Sequence, residues 1–382
     1  MKAYGEVNRK ERLALYGFNR GRGGIPRVMI NLINGFVDEG FQVDLLVPGP
    51  DSPDFMELRP EVRVMRIGKT TLLRNVLFLV QYLRKARPPA LLSNQERSTR
   101  TAVMARCLAG TRTPIFIRVG TTLSVYLKRR HLIQRILHKR SIAFHYRRID
   151  GIIAVSRGVA EDIAGTTGIP LEQIHVIRNP TVPSDVAQRA QEDIDHPWFA
   201  PGNPPVVLAV GRLTKAKDFS TLMRAFAKLR SLKKCRLVIL GEGKERQKLT
   251  ALAGELGIEN DTDLPGYAAN PFAYMDRAAL FVLSSAWEGS PNVLIEALSV
   301  GVPVVATDCE NGPREILENG RYGTLVPVGD VEAMAEAMFQ ALEKPMDKGL
   351  LQSAVEPYKA DRSAVAYLTA MGLHGNGDAH VS

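Results

Sequence analysis

The sequence predicts an α/β protein built from two doubly wound parallel sheets, and three observations lead to this class. Short apolar runs alternate with helical stretches, the alternation stops at a proline-rich stretch, and it then starts again. A chain of 382 residues, 45% of them apolar, is long enough for two cores. We therefore expect two facing Rossmann-like domains with a cleft at the carboxyl ends of their strands.

The first domain is predicted to span residues 1–183. Its strands are expected at 12–18, 41–47, 62–67, 91–93, 115–119, 151–155 and 175–178. A helix at about 26–39 follows the glycine-rich segment 20–24, and helical patterns fill the other intervals. Parallel strands joined by helices are the expected result.

Six prolines within 180–205 oppose both helix and central strand, so we predict a linker at 184–204. The second domain is then expected at 205–347. Its strands are predicted at 206–210, 236–240, 280–283 and 302–306, and its helices at 219–232, 244–256, 291–300 and 331–343. A last helix is expected at about 351–371, within a segment 348–372, before a frayed polar tail at 373–382.

The net charge of +10 is concentrated in the first half of the chain. Residues 1–190 hold 31 Lys and Arg against 15 Asp and Glu, and between Glu61 and Asp150 the only acid is Glu96. Such asymmetry indicates an anionic partner, of which nucleic acid, a membrane surface and a phosphorylated substrate are candidates. Nucleic acid is disfavoured because no recognition motif or set of stacking aromatics accompanies the charge.

Segment 126–148 mixes Leu, Ile, Phe and Tyr with dense Lys and Arg. A basic amphipathic helix of this kind is typical of membrane-surface elements, although an ordinary helix with a solvated charged face has the same pattern. No apolar run reaches the ~20 residues of a membrane span, and the start lacks a signal-peptide pattern. Three scattered cysteines form neither a disulfide framework nor a zinc pattern, which favours a reducing, cytoplasmic compartment. Together with the basic segment, this predicts a peripheral protein on the inner face of the cytoplasmic membrane.

The strongest chemical signal follows the predicted strand 280–283. Ser290 suits an N-cap and Pro291 the first helical position, so a helix should begin just after the strand and favour an anion at its N-terminus. Glu288 would precede this helix and Glu296 would lie inside it, and carboxylates accept hydrogen bonds from sugar hydroxyls. A capped helix with two solvated acids would show the same pattern.

Two further loops follow predicted strands. Arg212 and Lys217 lie at the exit of strand 206–210, where open sheets bind ligands, although Lys-rich loops are more often simply solvated. The run 21–24 holds Gly23 and Gly24 before a helix, but Pro26 occupies the position of the third glycine of a dinucleotide fingerprint. A Rossmann dehydrogenase is therefore disfavoured, and no Walker A loop or metal constellation occurs.

Together these motifs resemble the family 4 (group 1) retaining glycosyltransferases of the GT-B fold. The match is most specific at 205–343. It includes Gly211-Arg212-Leu213 with Lys217, Gly241-Glu242-Gly243, Gly266-Tyr267, the Glu-x7-Glu pair Glu288 and Glu296, and Gly312-Pro313-Arg314-Glu315-Ile316. In the first domain, Gly23-Gly24 with Arg27-Val28 looks like the family's glycine-rich loop. The resemblance also implies that segment 348–372 crosses back to the first domain.

The resemblance implies a role for each matching residue. Arg212 and Lys217 would hold the donor diphosphate, with Gly23 and Gly24 closing on it. Glu288, the implied catalytic residue, would contact the transferred sugar, and Glu296 would bind the ribose. The remaining implied contacts are Gly289, Ser290, Pro291, Asn292 and Val293 at the sugar and Gly266 and Tyr267 near the base. No metal or other cofactor is expected, because cationic side chains and a helix N-terminus neutralise the leaving diphosphate.

One departure from the family pattern concerns Gly120, which stands where many relatives carry a His near the transferred sugar. The implied activity is retaining transfer from a nucleotide-sugar, a UDP-sugar before a GDP-sugar, to a lipid-linked or surface-glycan acceptor. Two alternatives stay open: a degenerate subunit that supports a partner, and a nucleotide-sugar hydrolase or epimerase on the same fold.

Overall fold

The computed structural model describes residues 12–17, 24–49, 53–67, 71–120, 123–128, 131–288, 290–310 and 312–373. The chain divides into two compact units. One is Met1–Thr181 together with Tyr358–Ser382, and the other is Val182–Pro357. Among the described residues, no helix is both long and apolar enough to cross a membrane.

The first unit contains a seven-stranded sheet in the order β3-β2-β1-β4-β5-β6-β7, and every neighbouring pair is parallel. Its strands are β1 (Arg12–Tyr16), β2 (Gln42–Val47), β3 (Val62–Arg66), β4 (Leu91–Ser93), β5 (Ile115–Val119), β6 (Gly151–Ala154) and β7 (Ile174–Val176). The helices that lie between these strands in the chain are α1 (Gly24–Asp38), α2 (Leu72–Ala86), α3 (Glu96–Ala109), α4 (Leu123–Lys128), α5 (Leu132–Tyr146) and α6 (Arg157–Thr167).

Among the described residues of the first unit, the carboxylate of Asp44 on β2 is fully buried. Arg12 donates to it at 3.0 Å, Arg63 at 2.5 Å and the Tyr82 hydroxyl at 2.9 Å. Burying a charge is costly unless it is paired and hydrogen-bonded, and here two guanidinium groups and a hydroxyl meet that condition. The carboxylate also raises the pKa of Arg63 through their hydrogen bond.

The second unit contains a six-stranded parallel sheet in the order β10-β9-β8-β11-β12-β13. The strands are β8 (Val206–Val210), β9 (Arg236–Leu240), β10 (Thr262–Gly266), β11 (Leu280–Leu283), β12 (Val304–Thr307) and β13 (Thr324–Val326). The helices are α7 (Val186–Ala190), α8 (Phe219–Leu232), α9 (Arg246–Glu255), α10 (Pro271–Arg277), α11 (Asn292–Val300), α12 (Pro313–Ile316), α13 (Val331–Glu343) and α14 (Lys348–Ser353).

Both sheets reverse their strand order at one point, and this confirms the prediction of doubly wound sheets. The reversal lies between β1 and β4 in the first unit and between β8 and β11 in the second. Ligands of open α/β sheets bind beside the carboxyl ends of the strands at such a point. The sequence analysis missed β10 and β13, which are the two edge strands of the second sheet.

The predicted linker at 184–204 is not a free connection in the structure. Residues from Val182 onward belong to the second unit, and α7 packs against α10 and α11. Asn270 donates to the Arg189 carbonyl at 2.7 Å and Arg277 to the Ala190 carbonyl at 3.1 Å. The boundary between the units, after Thr181, lies within the proline-rich stretch and close to the predicted end of the first domain at 183. The residues after it pack on the second unit instead of forming a linker.

The single helix predicted at 351–371 is two helices in the structure. The first, α14, belongs to the second unit, and α15 (Ala360–Ala370) belongs to the first, where it packs against α1. Pro357 lies between them, and its missing N–H and fixed φ oppose a continuous helix. Segment 126–148 likewise falls on two helices, α4 and α5, and the tail beyond 373 lies outside the described residues.

Candidate functional site

An ion pair joins the loops that follow β8 and β11, the strands at the switch point of the second sheet. Lys217 Nζ donates to Glu288 Oε1 at 2.5 Å, and the two side chains are 19% and 10% exposed. The two residues are 71 positions apart in the chain. The fold therefore brings together two of the predicted site residues at the edge where the topology favours a ligand.

Hydrogen bonds from three small hydroxyl side chains hold the Glu288 loop in place. Ser285 Oγ donates to Glu288 Oε1 at 2.6 Å, and Ser284 Oγ donates to the Lys217 carbonyl at 2.8 Å. Thr307 Oγ1, at the end of β12, donates to the Ser285 carbonyl at 2.6 Å. These contacts fix the carboxylate and the ammonium group together, and the sequence analysis gave these three hydroxyls no role.

The loops after β9 and β10 lie against the loop after β8 through their backbones. Gly211 N–H donates to the Leu240 carbonyl at 2.9 Å, and Gly241 N–H donates to the Gly266 carbonyl at 2.7 Å. Arg246, which the sequence analysis missed, donates to the Leu264 and Gly241 carbonyls and forms an ion pair with Glu242. Gly266 is thus placed beside the glycine loop, and Tyr267 after it is half exposed.

Replacing Gly241 with alanine is expected to destabilise the second unit by about 3 kcal/mol. Gly241 has φ +149°, and a Cβ there would lie 1.9 Å from the Gly211 carbonyl oxygen. The matched control is Gly254→Ala inside α9, where a Cβ would meet nothing within 4 Å and should stabilise by about 0.5 kcal/mol. Urea unfolding of both variants tests this, and equal midpoints would show that the loop can yield.

Helix α11 carries the second predicted carboxylate. Glu296 is 4% exposed within the buried stretch from Leu294 to Val300. We predicted Ser290 as N-cap and Pro291 as the first helical residue. In the structure α11 begins at Asn292, Pro291 holds the cap position, and no side chain caps the helix by a hydrogen bond. The helix therefore starts one residue later than predicted, and its first N–H groups lie beside the loop of Glu288.

The charged groups at this edge could hold an anionic, hydroxyl-bearing ligand. Arg212 is exposed, and its guanidinium forms no ion pair with any described residue. With Lys217 and the N-terminus of α11 it provides positive potential, while Glu288 and Glu296 provide hydrogen-bond acceptors. Burial, and next the charge of Glu288, raise the pKa of the nearby Cys309 thiol, which favours its neutral form.

The other predicted site residues divide into described and undescribed ones. Asn292 and Val293 form the first turn of α11, and Gly24 is the first residue of α1 in the other unit. Gly23 and Gly289 lie outside the described residues. In the described part of the chain, no three His, Cys, Asp or Glu side chains are grouped as a metal ion would require.

Comparison with known proteins identifies both halves of the chain. Residues 22–184 match the model of Glycosyltransferase Family 4, and residues 190–358 match that of Glycosyl transferases group 1. A Campylobacter jejuni enzyme, N-acetylgalactosamine-N,N'-diacetylbacillosaminyl-diphospho-undecaprenol 4-alpha-N-acetylgalactosaminyltransferase, is 34% identical over 267 residues, covering 70% of this chain and 69% of that one.

Two further comparisons agree with this. The lipopolysaccharide core biosynthesis glycosyltransferase LpsE of Rhizobium meliloti is 27% identical over 321 residues, covering 83% of this chain and 85% of that protein. The structure of Anabaena HepE, solved with UDP, aligns with a TM-score of 0.76 at 19% identity, over 95% of this chain and 99% of that one. The fold is therefore GT-B, and the chain belongs to the family 4, group 1 glycosyltransferases.

Proposed function

We propose that this glycosyltransferase moves a sugar, with retention at the anomeric carbon, from a UDP-sugar to a lipid-linked acceptor of a surface glycan. The observation that carries the proposal is the Lys217–Glu288 pair at the switch point of the second sheet, with Glu296 buried on the adjoining helix. The names of the relatives support the acceptor class, because they act in lipopolysaccharide synthesis or on a diphospho-undecaprenol-linked glycan. UDP is supported by its presence in the HepE structure.

In the proposed reaction, the bond between the anomeric carbon and the donor's phosphate oxygen breaks. The acceptor hydroxyl oxygen forms the new bond on the same face, and its proton moves to the departing phosphate oxygen. Arg212, Lys217 and the N-terminus of α11 stabilise the negative charge that grows on the leaving diphosphate. Glu288 holds hydroxyls of the transferred sugar and Glu296 holds the ribose, and no metal ion takes part.

Nucleotide binding without metal gives the direct test of this donor site. UDP at 100 times its dissociation constant should stabilise the protein by about 2.7 kcal/mol, measured as a raised Tm in the presence of EDTA. GDP, ADP, dTDP and CMP serve as comparisons, and GDP is the second choice. A shift that needs a divalent metal, or none with any of the five, would contradict the proposed donor site.

The acceptor side of the proposal includes peripheral binding to the anionic inner face of the cytoplasmic membrane. On α5, Ile136, Leu137 and Phe144 are 46%, 60% and 52% exposed. Arg135, Lys139 and Arg140 on the same helix are exposed as well. Apolar side chains that enter the headgroup region and basic ones that meet anionic lipids are the features of an interfacial helix.

The double variant Arg135→Gln/Lys139→Gln is expected to bind anionic vesicles about 30-fold more weakly, since each basic residue contributes ~1 kcal/mol at such a surface. Co-sedimentation with phosphatidylglycerol vesicles measures this, and phosphatidylcholine vesicles should retain little of either protein. The control Lys228→Gln/Lys234→Gln removes two charges from the second unit and should bind as the unmodified protein does. If both double variants lose vesicle binding equally, the protein is attracted to the membrane only by its net charge and not by α5.

A further inference from the structure

The first unit buries a second charged side chain, Arg118 near the carboxyl end of β5, and it forms no ion pair with the residues that the structure describes. Its side chain is 4% exposed. Nη1 donates to Asn94 Oδ1 at 2.9 Å, and Nη2 donates to Asn179 Oδ1 at 2.6 Å. Among the described residues, no carboxylate lies within ion-pair distance of it. Amide oxygens satisfy N–H groups but do not neutralise a charge.

Asp44 in the same sheet shows what a compensated buried charge looks like in this protein. That carboxylate has two guanidinium groups and a hydroxyl. Within the described part of the chain, the charge of Arg118 faces only neutral groups, the two amide oxygens and the Tyr367 hydroxyl beside it. An uncompensated buried charge destabilises a fold, and an anionic ligand would supply the missing compensation.

The unsatisfied groups show which kind of partner is missing. Arg118 Nε and Asn94 Nδ2 are both buried and lack a hydrogen-bond partner among the described residues. Both atoms are hydrogen-bond donors. The orientation of the Asn94 amide is fixed because its Oδ1 accepts from Arg118, which leaves Nδ2 as the unsatisfied atom. The missing group must therefore accept hydrogen bonds, and the positive charge selects an anion.

The guanidinium of Arg118 also lies against Gly120. A Cβ on Gly120 would lie 2.8 Å from Arg118 Nη1 and 3.4 Å from its Cζ. The guanidinium thus occupies the space that a side chain at position 120 would enter. Gly120 therefore leaves room for Arg118, and a larger residue there would displace the guanidinium.

We propose that Arg118 and Asn94 form a phosphate-binding site in the first unit. The inference rests on the proposed function, which supplies two sources of phosphate: the donor's diphosphate and the diphosphate of a lipid-linked acceptor. Arg118 binds phosphate oxygens through its free N–H groups, with Asn94 Nδ2 as an additional donor. A planar guanidinium suits this ligand better than an ammonium group.

Calorimetric titration with inorganic pyrophosphate tests the site. We expect two sites per chain in the unmodified protein, one in each unit. Arg118→Gln should weaken one of them about 10- to 100-fold, the effect of losing hydrogen bonds to a charged group. Arg212→Ala/Lys217→Met should weaken the other. The matched control is Arg84→Gln, which removes a guanidinium bound to the Leu108 and Ala109 carbonyls and should keep both sites.

Repeating the titration with UDP or with farnesyl diphosphate present identifies the source of the phosphate. Loss of the Arg118 site on saturation with UDP assigns it to the donor. Its survival with UDP, and competition by farnesyl diphosphate, assign it to the acceptor. Two pyrophosphate sites of unchanged affinity in Arg118→Gln, or a single site that Arg118→Gln does not weaken, overturns the inference. Failure of the proposed function looks different, because UDP would then bind to neither protein while the effect of Arg118→Gln on pyrophosphate remained.

A measurement on the unmodified fold covers the case in which Arg118→Gln does not fold. The Nε–H resonance of Arg118 in ¹⁵N-arginine-labelled protein is assigned by its absence from Arg118→Lys, which retains the charge. Pyrophosphate should shift this resonance, because Nε is one of the two unsatisfied donors. A resonance that does not move at saturating pyrophosphate would mean that Arg118 only joins Asn94 to Asn179.

Discussion

Lys217→Met is expected to slow sugar transfer by about 10²- to 10³-fold, the range found when one preorganised group that stabilises developing negative charge is removed. The methionine keeps most of the volume of the lysine stem and removes only the charge. Glu288 then retains its hydrogen bond from Ser285 but loses its only described ionic partner. Single-turnover rates at saturating donor measure the effect on chemistry.

Part of any loss could come from leaving Glu288 unpaired, and a charge exchange separates the two causes. Because the pair is mostly buried, Lys217→Met should also lower the free energy of unfolding, by about 2 kcal/mol. In Lys217→Glu/Glu288→Lys the attraction is restored, so stability should recover. The positive charge then lies on the wrong loop, and transfer should stay slow. Recovery of the rate together with stability would make the pair a purely structural contact.

Glu296→Gln is expected to weaken UDP binding by about 10- to 100-fold, because a hydrogen bond to a charged group contributes about 1.5–3 kcal/mol. Glutamate is rarely buried to this degree, and here it lies among apolar neighbours on α11. The amide has nearly the same shape, so the effect on binding reports the carboxylate itself. Calorimetric titration with UDP, without metal, gives the dissociation constant.

The control for this variant is Ser299→Ala on the same buried face. Ser299 Oγ donates to the backbone carbonyl of Glu296 at 2.6 Å, so its loss perturbs the helix without touching the carboxylate. Ser299→Ala should lower stability by about 1 kcal/mol and leave UDP affinity unchanged. If both variants lose affinity equally, the helix and not the carboxylate determines nucleotide binding.

The central strands could be predicted from sequence because burial on both faces makes them continuous apolar runs. The edge strands could not. β10 reads Thr-Asp-Leu-Pro-Gly, in which Asp, Pro and Gly all oppose a strand, and β13 has three residues. Proline was a partial guide: the boundary between the units lies within the proline-rich stretch, but residues 184–204 pack on the second unit. The break at Pro357 was overlooked.

The candidate site could be predicted residue by residue but not as a set of contacts. Motif spacing identified Lys217 and Glu288 separately, and the position of β11 beside β8 joins them. Nothing local distinguishes Arg118 within the apolar run of β5 except that a charge stands there. Its neighbours come from the residue after β4, from the segment after β7 and from α15, so only the fold assembles that cluster.

The return of α15 to the first unit has a consequence for how the chain acquires its structure during synthesis. Ala364, Tyr367 and Leu368 belong to the same core as α1, so that core is incomplete until the last helix leaves the ribosome. The second unit, Val182–Pro357, is continuous, and its 176 residues are made in about 10 to 35 seconds at 5–20 residues per second. The later-encoded unit can therefore fold first. A stop codon before residue 360 would spare the sheet that carries Lys217 and Glu288, yet leave the other unit with an open core and exposed to proteolysis.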